Sequence, residues 1–237
     1  MTDNKKIRYT PEPTLRRLAR YIPILQGLQA RGIEVVSSTT IANEIVLDPT
    51  QVRKDIEYTG VTGKPKTGFN IAELISAIET YLNWNNVTDA FLIGAGNLGS
   101  ALLGYTRFKK HGLNIVAAFD IDPLKEGTQI QGIPVLPLEK MASLAERMKI
   151  HIGILTVPAE NAQAIADLMI GGGILAIWNF APVHLKVPEN IIVENIQLVQ
   201  SLAVLTTKLR ESFTHENAQS GVIEHVRDNQ LSADIKL

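Results

Sequence analysis

The stretch Asp89-Ala90-Phe91-Leu92-Ile93-Gly94-Ala95-Gly96-Asn97-Leu98-Gly99 decides the fold of the second half of this chain. A short apolar run enters a G-x-G-x-x-G turn, and Leu98 to Tyr105 has the composition of a helix leaving it. Asn114 to Phe119 is the next apolar run, and Asp120 closes it. This is the spacing of a dinucleotide fingerprint. One glycine makes the tight turn, one lets backbone approach a pyrophosphate, and one lets the helix pack on the strand. The following helix would turn its unpaired N–H groups toward phosphates. Asp120 would take the ribose hydroxyls, and a bare carboxylate there disfavours the extra phosphate of NADP. The sequence therefore predicts NAD or NADH binding by Gly94, Ala95, Gly96, Asn97, Leu98, Gly99, Asp120 and Ile121. A degenerate α/β turn that binds nothing is the plainer alternative.

Outward from the fingerprint, strands and helices alternate. Ile133-Pro134-Val135 precedes a helix over Leu138 to Met148. Ile152 to Val157 is continuously apolar, as a buried parallel strand should be. Ala159 to Ile170 is helical, Ile174 to Trp178 is a strand, and Ile191 to Glu194 is a short edge strand. Ligands in such sheets sit beyond the C-terminal strand ends, so Thr156, Val157, Pro158, Asn179, Phe180, Ala181 and Pro182 are expected on the nicotinamide side. Gln197 to Phe213 reads as a last helix with Leu198, Leu202, Leu205 and Leu209 in register. Its apolar stripe suits packing on another subunit. Residues 214–237 carry no motif and read as a mobile tail.

Upstream, Thr14 to Ala30 repeats apolar residues at helical spacing, and Gly32 ends it. Ser38 is expected to cap a short helix over Ile41 to Val46. Asp48 and Pro49 open the next, with Gln51 at capping-box spacing. Two short helices joined by a tight turn match helix-turn-helix, whose second helix enters the major groove. Ser37, Ser38, Thr50, Gln51, Arg53, Lys54 and Tyr58 are the expected DNA contacts, since Gln can read adenine and Arg guanine. Gly60 to Gly68 carries Lys64 and Lys66 on a turn, which fits a wing for phosphates or the minor groove. Phe69 to Leu82 is expected to be helical, and Asn83 to Asn86 to be a linker. A small helical domain used only for packing is the alternative.

Bulk properties narrow the choice. The 237 residues carry a formal net charge of −1 and no cysteine, which excludes a disulfide framework or a thiolate metal site. The five histidines form no ligand motif, and no run is long enough to span a bilayer, so a cytoplasmic protein without bound metal is expected. Basic residues gather in the first 20 positions and again over 53–66, a distribution that suits nucleic acid. The expected organisation is a winged helix-turn-helix domain (1–86), a Rossmann domain (87–196), a dimerisation helix (197–213) and a tail (214–237). An NAD-dependent oxidoreductase would need a substrate domain and a general acid or base. Only about fifty residues follow Pro182, and His184 and Lys186 sit in no catalytic motif, so no enzyme activity is expected.

Taken together, these residues resemble the Rex family of redox-sensing transcriptional repressors from about Thr14 to Leu209. The resemblance rests on Val36-Ser37-Ser38, Gln51-Val52-Arg53-Lys54-Asp55, the glycine turn and Ala118-Phe119-Asp120-Ile121-Asp122-Pro123. It extends to Ile154-Leu155-Thr156-Val157-Pro158-Ala159, Asn179-Phe180-Ala181-Pro182-Val183 and Val187-Pro188-Glu189. It implies a homodimer that exchanges its C-terminal helix. Such a dimer binds a palindromic operator with NAD and releases it with NADH, and a tyrosine matching Tyr105 moves in the switch. It also exposes departures. Pro23 and Gln197 stand where the family carries an Arg and an Asp that pair between subunits, and neither can form a charge-assisted bond of that kind. Glu57-Tyr58-Thr59-Gly60 replaces Ser-Tyr-Phe-Gly, and Lys64-Pro65-Lys66-Thr67-Gly68-Phe69 replaces the basic wing pattern. A divergent member with an altered operator, or one that has lost DNA binding, is the alternative.

Overall fold

The computed structural model describes residues 10–197 and 199–213. The expected tail and Leu198 lie outside the described residues. The chain divides into two compact units. One comprises Met1–Ala90, Ser100–Ala117 and Gly127–Val135; the other comprises Phe91–Gly99, Ala118–Glu126 and Leu136–Leu237.

The first unit opens with α1 (Glu12–Ala30), which buries Leu18, Tyr21, Ile22, Leu25 and Leu28 along one stripe. Pro23 lies inside this helix on its exposed side, where its missing N–H removes one main-chain hydrogen bond. After β1 (Val35–Val36) come α2 (Ser38–Ile45) and α3 (Pro49–Glu57). The cap of α2 is Ser37 rather than Ser38: its side chain accepts from the Thr40 amide at 3.0 Å, and Ser38 is buried as the first helical residue. Asp48 caps α3 as expected, accepting from the Thr50 amide, with Pro49 at the first helical position. Gln51 does not close a capping box, because its amide donates to the Asp55 carboxylate at 2.9 Å.

Residues 69 and 70 are not helical. They form β2 (Phe69–Asn70), antiparallel to β1 with Val36 opposite Phe69. The strands come so close at Gly68, φ +98°, that a Cβ there would lie 2.9 Å from the Val36 carbonyl carbon. Only glycine accommodates both the angle and the approach. Asn70 then caps α4 (Ile71–Tyr81) through the Glu73 amide. One apolar core joins these helices, with Val52, Ile56, Phe69, Leu74 and Ile78 among its members. Trp84, in the expected linker, packs against that core and meets the His111 ring at a tilt, with 4.2 Å between ring centroids.

The fingerprint strand is β3 (Thr88–Ile93), followed by α5 (Asn97–Leu103), α6 (Arg107–Lys110) and β4 (Leu113–Asp120). A hairpin of β5 (Gln129–Ile130) and β6 (Ile133–Pro137) precedes α7 (Met141–Met148), which starts after a single 3-10 turn at Leu138–Lys140. Then come β7 (Ile152–Leu155), α8 (Ala159–Gly171), β8 (Ala176–Asn179) and β9 (Ile192–Asn195). β7, β8 and β9 run parallel, with Leu155, Asn179 and Asn195 in register. The sheet order is β5-β6-β4-β3-β7-β8-β9, so successive strands leave β3 in opposite directions, and β9 is an edge. That reversal beside β3 is the place where doubly wound folds bind nucleotides. In the second unit Phe91 and Phe119 meet edge to face at 4.8 Å beneath the fingerprint. A final helix covers residues 199–213. Its Leu202, Leu205, Leu209 and Phe213 are each more than half exposed.

Candidate functional site

Gly94 leaves β3 with φ +100°. Its amide donates to the Phe119 carbonyl at 2.8 Å, which fixes the turn to the end of β4. The Thr156 hydroxyl donates to the carbonyls of Ile93 at 3.0 Å and Gly94 at 2.8 Å, so the end of β7 clamps the same turn. A Cβ on Gly94 would lie 2.8 Å from the Thr156 carbonyl oxygen, and one on Gly99 would overlap the Gly94 carbonyl. Gly96 differs: a Cβ there would meet nothing within 4 Å. No neighbour among the described residues explains that glycine, whereas a ligand approaching the backbone would.

Asp120 ends β4 with both carboxylate oxygens engaged. Lys125 Nζ lies 2.9 Å from one, and the Asp122 amide donates to the other at 2.9 Å. Asp122 accepts from the Leu124 amide and so caps the short turn Pro123–Lys125, which swings Lys125 back onto Asp120. Burial pushes the Asp120 carboxyl up. Lys125 and the backbone N–H groups of Asp122 and Ala95 outweigh it and hold the group below the usual carboxylate range. Asp120 is therefore an anion at neutral pH.

These residues line a cavity of about 360 Å³ with Ile93, Gly94, Gly96, Phe119, Ile121, Thr156, Val157 and Pro158. Its remaining walls are Lys125, Leu138, Asn161, Ala164 and Ile165, which the fingerprint alone does not identify. The Asp-x-Asp-Pro spacing after β4 was the available signal for Lys125. An acidic floor for ribose, apolar walls for a base and an open glycine for phosphates fit the adenosine half of NAD.

Other expected cofactor residues lie elsewhere. Asn179 is fully buried. Its amide donates to the Val183 carbonyl and to Asn195 Oδ1, and its oxygen accepts from the Ala181 amide. It shapes the loop of Phe180 and Ala181 and does not line the cavity. Ala95, Asn97, Leu98 and Gly99 build the turn without lining it. Tyr105 is half exposed, edge to face with Phe108, and lines a separate cavity of about 220 Å³ with Gln131.

The second site lies on α3. Thr50, Arg53, Lys54 and Glu57 form its exposed stripe, and Val52, Asp55 and Ile56 form its buried one. A groove of about 480 Å³ separates this helix from the Gly60–Gly68 turn, lined by Ser37, Ser38, Arg53, Glu57, Lys64 and Lys66 among others. The turn is closed by paired main-chain bonds between Lys64 and Gly68. Arg53 Nε donates to Ser38 Oγ at 3.1 Å. Tyr58 turns inward toward Tyr81, with ring centroids 6.4 Å apart. Gln51 faces Asp55 rather than solvent.

Asp55 is the hub beneath this surface, and sequence reasoning did not single it out. It is fully buried, and Arg17 (2.6 and 2.8 Å), the Tyr21 hydroxyl (2.6 Å), Thr14 (3.2 Å) and Gln51 all donate to it. Burial raises its pKa, but Arg17, Tyr21 and Gln51 more than compensate and keep it ionised. Among the described residues, no group of three or more His, Asp or Glu side chains could hold a metal ion. No described helix is long and apolar enough to cross a membrane.

A winged helix-turn-helix and a Rossmann-type nucleotide unit in one chain define a class: the nucleotide-dependent regulator. Comparison with known proteins narrows the class. Residues 10–56 match the family model "Putative DNA-binding protein N-terminus", and residues 85–183 match the CoA binding domain model. The redox-sensing transcriptional repressor Rex of Bacteroides thetaiotaomicron is 43% identical over 214 residues, covering 88% of this chain and 97% of its own. Rex of Treponema denticola is 45% identical over 193 residues, covering 81% and 92%. The crystal structure of RSP, a Rex-family repressor, in complex with beta-NAD+ and operator DNA superposes with a TM-score of 0.81 at 35% identity, covering 90% of this chain and 98% of RSP. RSP with beta-NADH gives a TM-score of 0.80 at 35% identity, over 90% and 99%. This chain belongs to the Rex family of redox-sensing transcriptional repressors. The family is one of regulators, so the oxidoreductase alternative falls.

Proposed function

We propose that this chain represses transcription in response to the NADH/NAD ratio, binding a palindromic operator with NAD and releasing it with NADH. The observation that carries the reading is the pairing, in one chain, of the Asp120–Lys125 glycine-turn cavity with the exposed Arg53 stripe and its lysine-bearing turn. The proposed division of labour is a DNA reader over residues 1–86, a nucleotide domain over 87–196 and a dimerisation helix over 197–213. The nucleotide undergoes no reaction; it biases two arrangements of the protein, and only unequal affinity of NAD and NADH for those arrangements can drive the change.

The proposed assembly is a homodimer working in the cytoplasm. The apolar stripe Leu202, Leu205, Leu209 and Phe213 supports it, since these side chains are largely exposed in a single chain. A two-fold assembly also suits a palindrome. Pro23 is exposed on α1, and Gln197 accepts a hydrogen bond from Gln200, so neither supplies a charge for an intersubunit pair. The switch in this chain therefore works without that pair. Titrating NADH into a complex of the protein with NAD and selected operator DNA tests the proposal. Release of the DNA is expected, and unchanged DNA affinity across the titration refutes it.

A further inference from the structure

The recognition helix offers four solvent-facing side chains, Thr50, Arg53, Lys54 and Glu57, at the i, i+3, i+4, i+7 positions of one stripe. Three of them suit DNA in an obvious way. Glu57 is the exception, because a carboxylate beside phosphates is repelled. Yet Glu57 lines the groove between α3 and the wing, one turn beyond Arg53 and across from Lys64 and Lys66. Among the described residues its carboxylate has no hydrogen-bond or ion-pair partner, although three basic side chains line the same groove. The groups that sequence reasoning expects to read bases are meanwhile partly committed. Gln51 gives its amide to Asp55, and Arg53 gives Nε to Ser38.

We infer that Glu57 is a specificity-determining residue that accepts a hydrogen bond from the amino group of a cytosine in the major groove. This rests on the DNA-binding reading above. The chemistry selects the base. An ionised carboxylate only accepts, and the donors on major-groove edges are cytosine N4 and adenine N6. Adenine N6 sits beside N7, whose lone pair repels a second carboxylate oxygen, whereas cytosine offers no acceptor next to its amino group on that edge. Guanine, the partner of cytosine, presents N7 and O6, which suit the Arg53 guanidinium one turn away. Arg53 and Glu57 thus form a donor–acceptor pair matched to a G·C pair or step. The same carboxylate rejects sequences that place only acceptors opposite it, which adds discrimination at the cost of general affinity.

The test is selection from a random duplex pool by the full-length protein with NAD, repeated with E57Q and E57A. Wild type should enrich cytosine at one position of each half-site. E57A should lose that preference and keep the others. In direct binding, replacing that C·G pair with T·A should weaken wild type by about 10-fold and leave E57A unchanged. E57Q preserves shape and keeps an acceptor but adds a donor, so it should move the preference from cytosine toward adenine, and unaltered thermal stability excludes a folding defect. If E57A and E57Q select the wild-type sequence, the inference is overturned. In that case uniformly tighter binding with a steeper salt dependence would show that Glu57 acts only on phosphates. If wild type enriches no sequence, the DNA-binding reading itself fails, before any variant is made.

Discussion

Replacing Asp55 with alanine cuts the tie between α1 and α3. Removing one member of a buried ion pair costs about 3–5 kcal/mol, because the partner charge is left without compensation. The Arg17 side chain keeps 20% of its exposure and can turn toward water, which favours the lower end of that range. Tyr21 cannot escape: it is fully buried, and its hydroxyl would lose the Asp55 acceptor at a cost of about 1–3 kcal/mol. The expected loss is about 4 kcal/mol from the unfolding free energy of the N-terminal unit. Removing Arg17 as well, as R17M, should cost less in the D55A background than in wild type, since the pair is already broken.

Trp84 packs against this core, so urea unfolding followed by its fluorescence in a W178F background reports the unit directly. The pH dependence has a definite sign. The Asp55 pKa is lower in the folded state than its ordinary value of about 4. Its contribution is therefore complete above that value and is lost as pH falls through the folded pKa. The gap between wild type and D55A should be constant from pH 7 to pH 5 and shrink below about pH 4. A loss under about 1 kcal/mol at pH 7, or a gap that grows on acidification, would refute the account of Asp55 as a compensated buried charge.

Asp120→Ala should weaken NADH binding by roughly 10- to 100-fold, the value of hydrogen bonds to a charged group, as read by NADH fluorescence; unchanged affinity would remove Asp120 from the ribose site. Leu205→Asp with Leu209→Asp should convert the proposed dimer to monomer in sedimentation and weaken operator binding, while NADH binding persists; a dimer that survives both charges would place the interface elsewhere. Lys64→Ala with Lys66→Ala should lower affinity evenly across DNA sequences and reduce the salt slope by about 2; a change of sequence preference instead would mean that the turn reads bases.

Much of this protein was legible because local rules decide it. The glycine turn, the acid at the end of the next strand and the apolar stripes of the helices are short-range patterns, and the structure places them on the expected elements. Asp48 and Pro49 announced the start of the recognition helix through backbone chemistry within two residues. Where local rules offered two answers, the sequence misled. Ser37 and Ser38 are equally good caps, and burial of Ser38 against Arg53 decided between them. Phe69 and Asn70 carry helical spacing, but pairing with Val35 and Val36 drew them into a strand. Gln51 had capping-box spacing, yet its amide nitrogen donates to the ionised, buried Asp55, a charge-assisted bond that orients the side chain toward residue 55 instead of back toward Asp48.

Long-range juxtaposition belonged to the tertiary structure alone. The Asp55 hub joins residues 34 to 41 positions apart, and the Thr156 clamp reaches back 62 and 63 positions to the glycine turn. Asn179 turning into its own loop and Glu57 left unpaired in the groove beside α3 were equally out of reach of spacing. The sequence by itself determined the elements and the chemical types at their ends, because helix caps, strand alternation and glycine turns depend on neighbours along the chain. Only the folded molecule decided which of those groups meet and which charges find a partner, because burial and hydrogen-bond competition depend on neighbours in space.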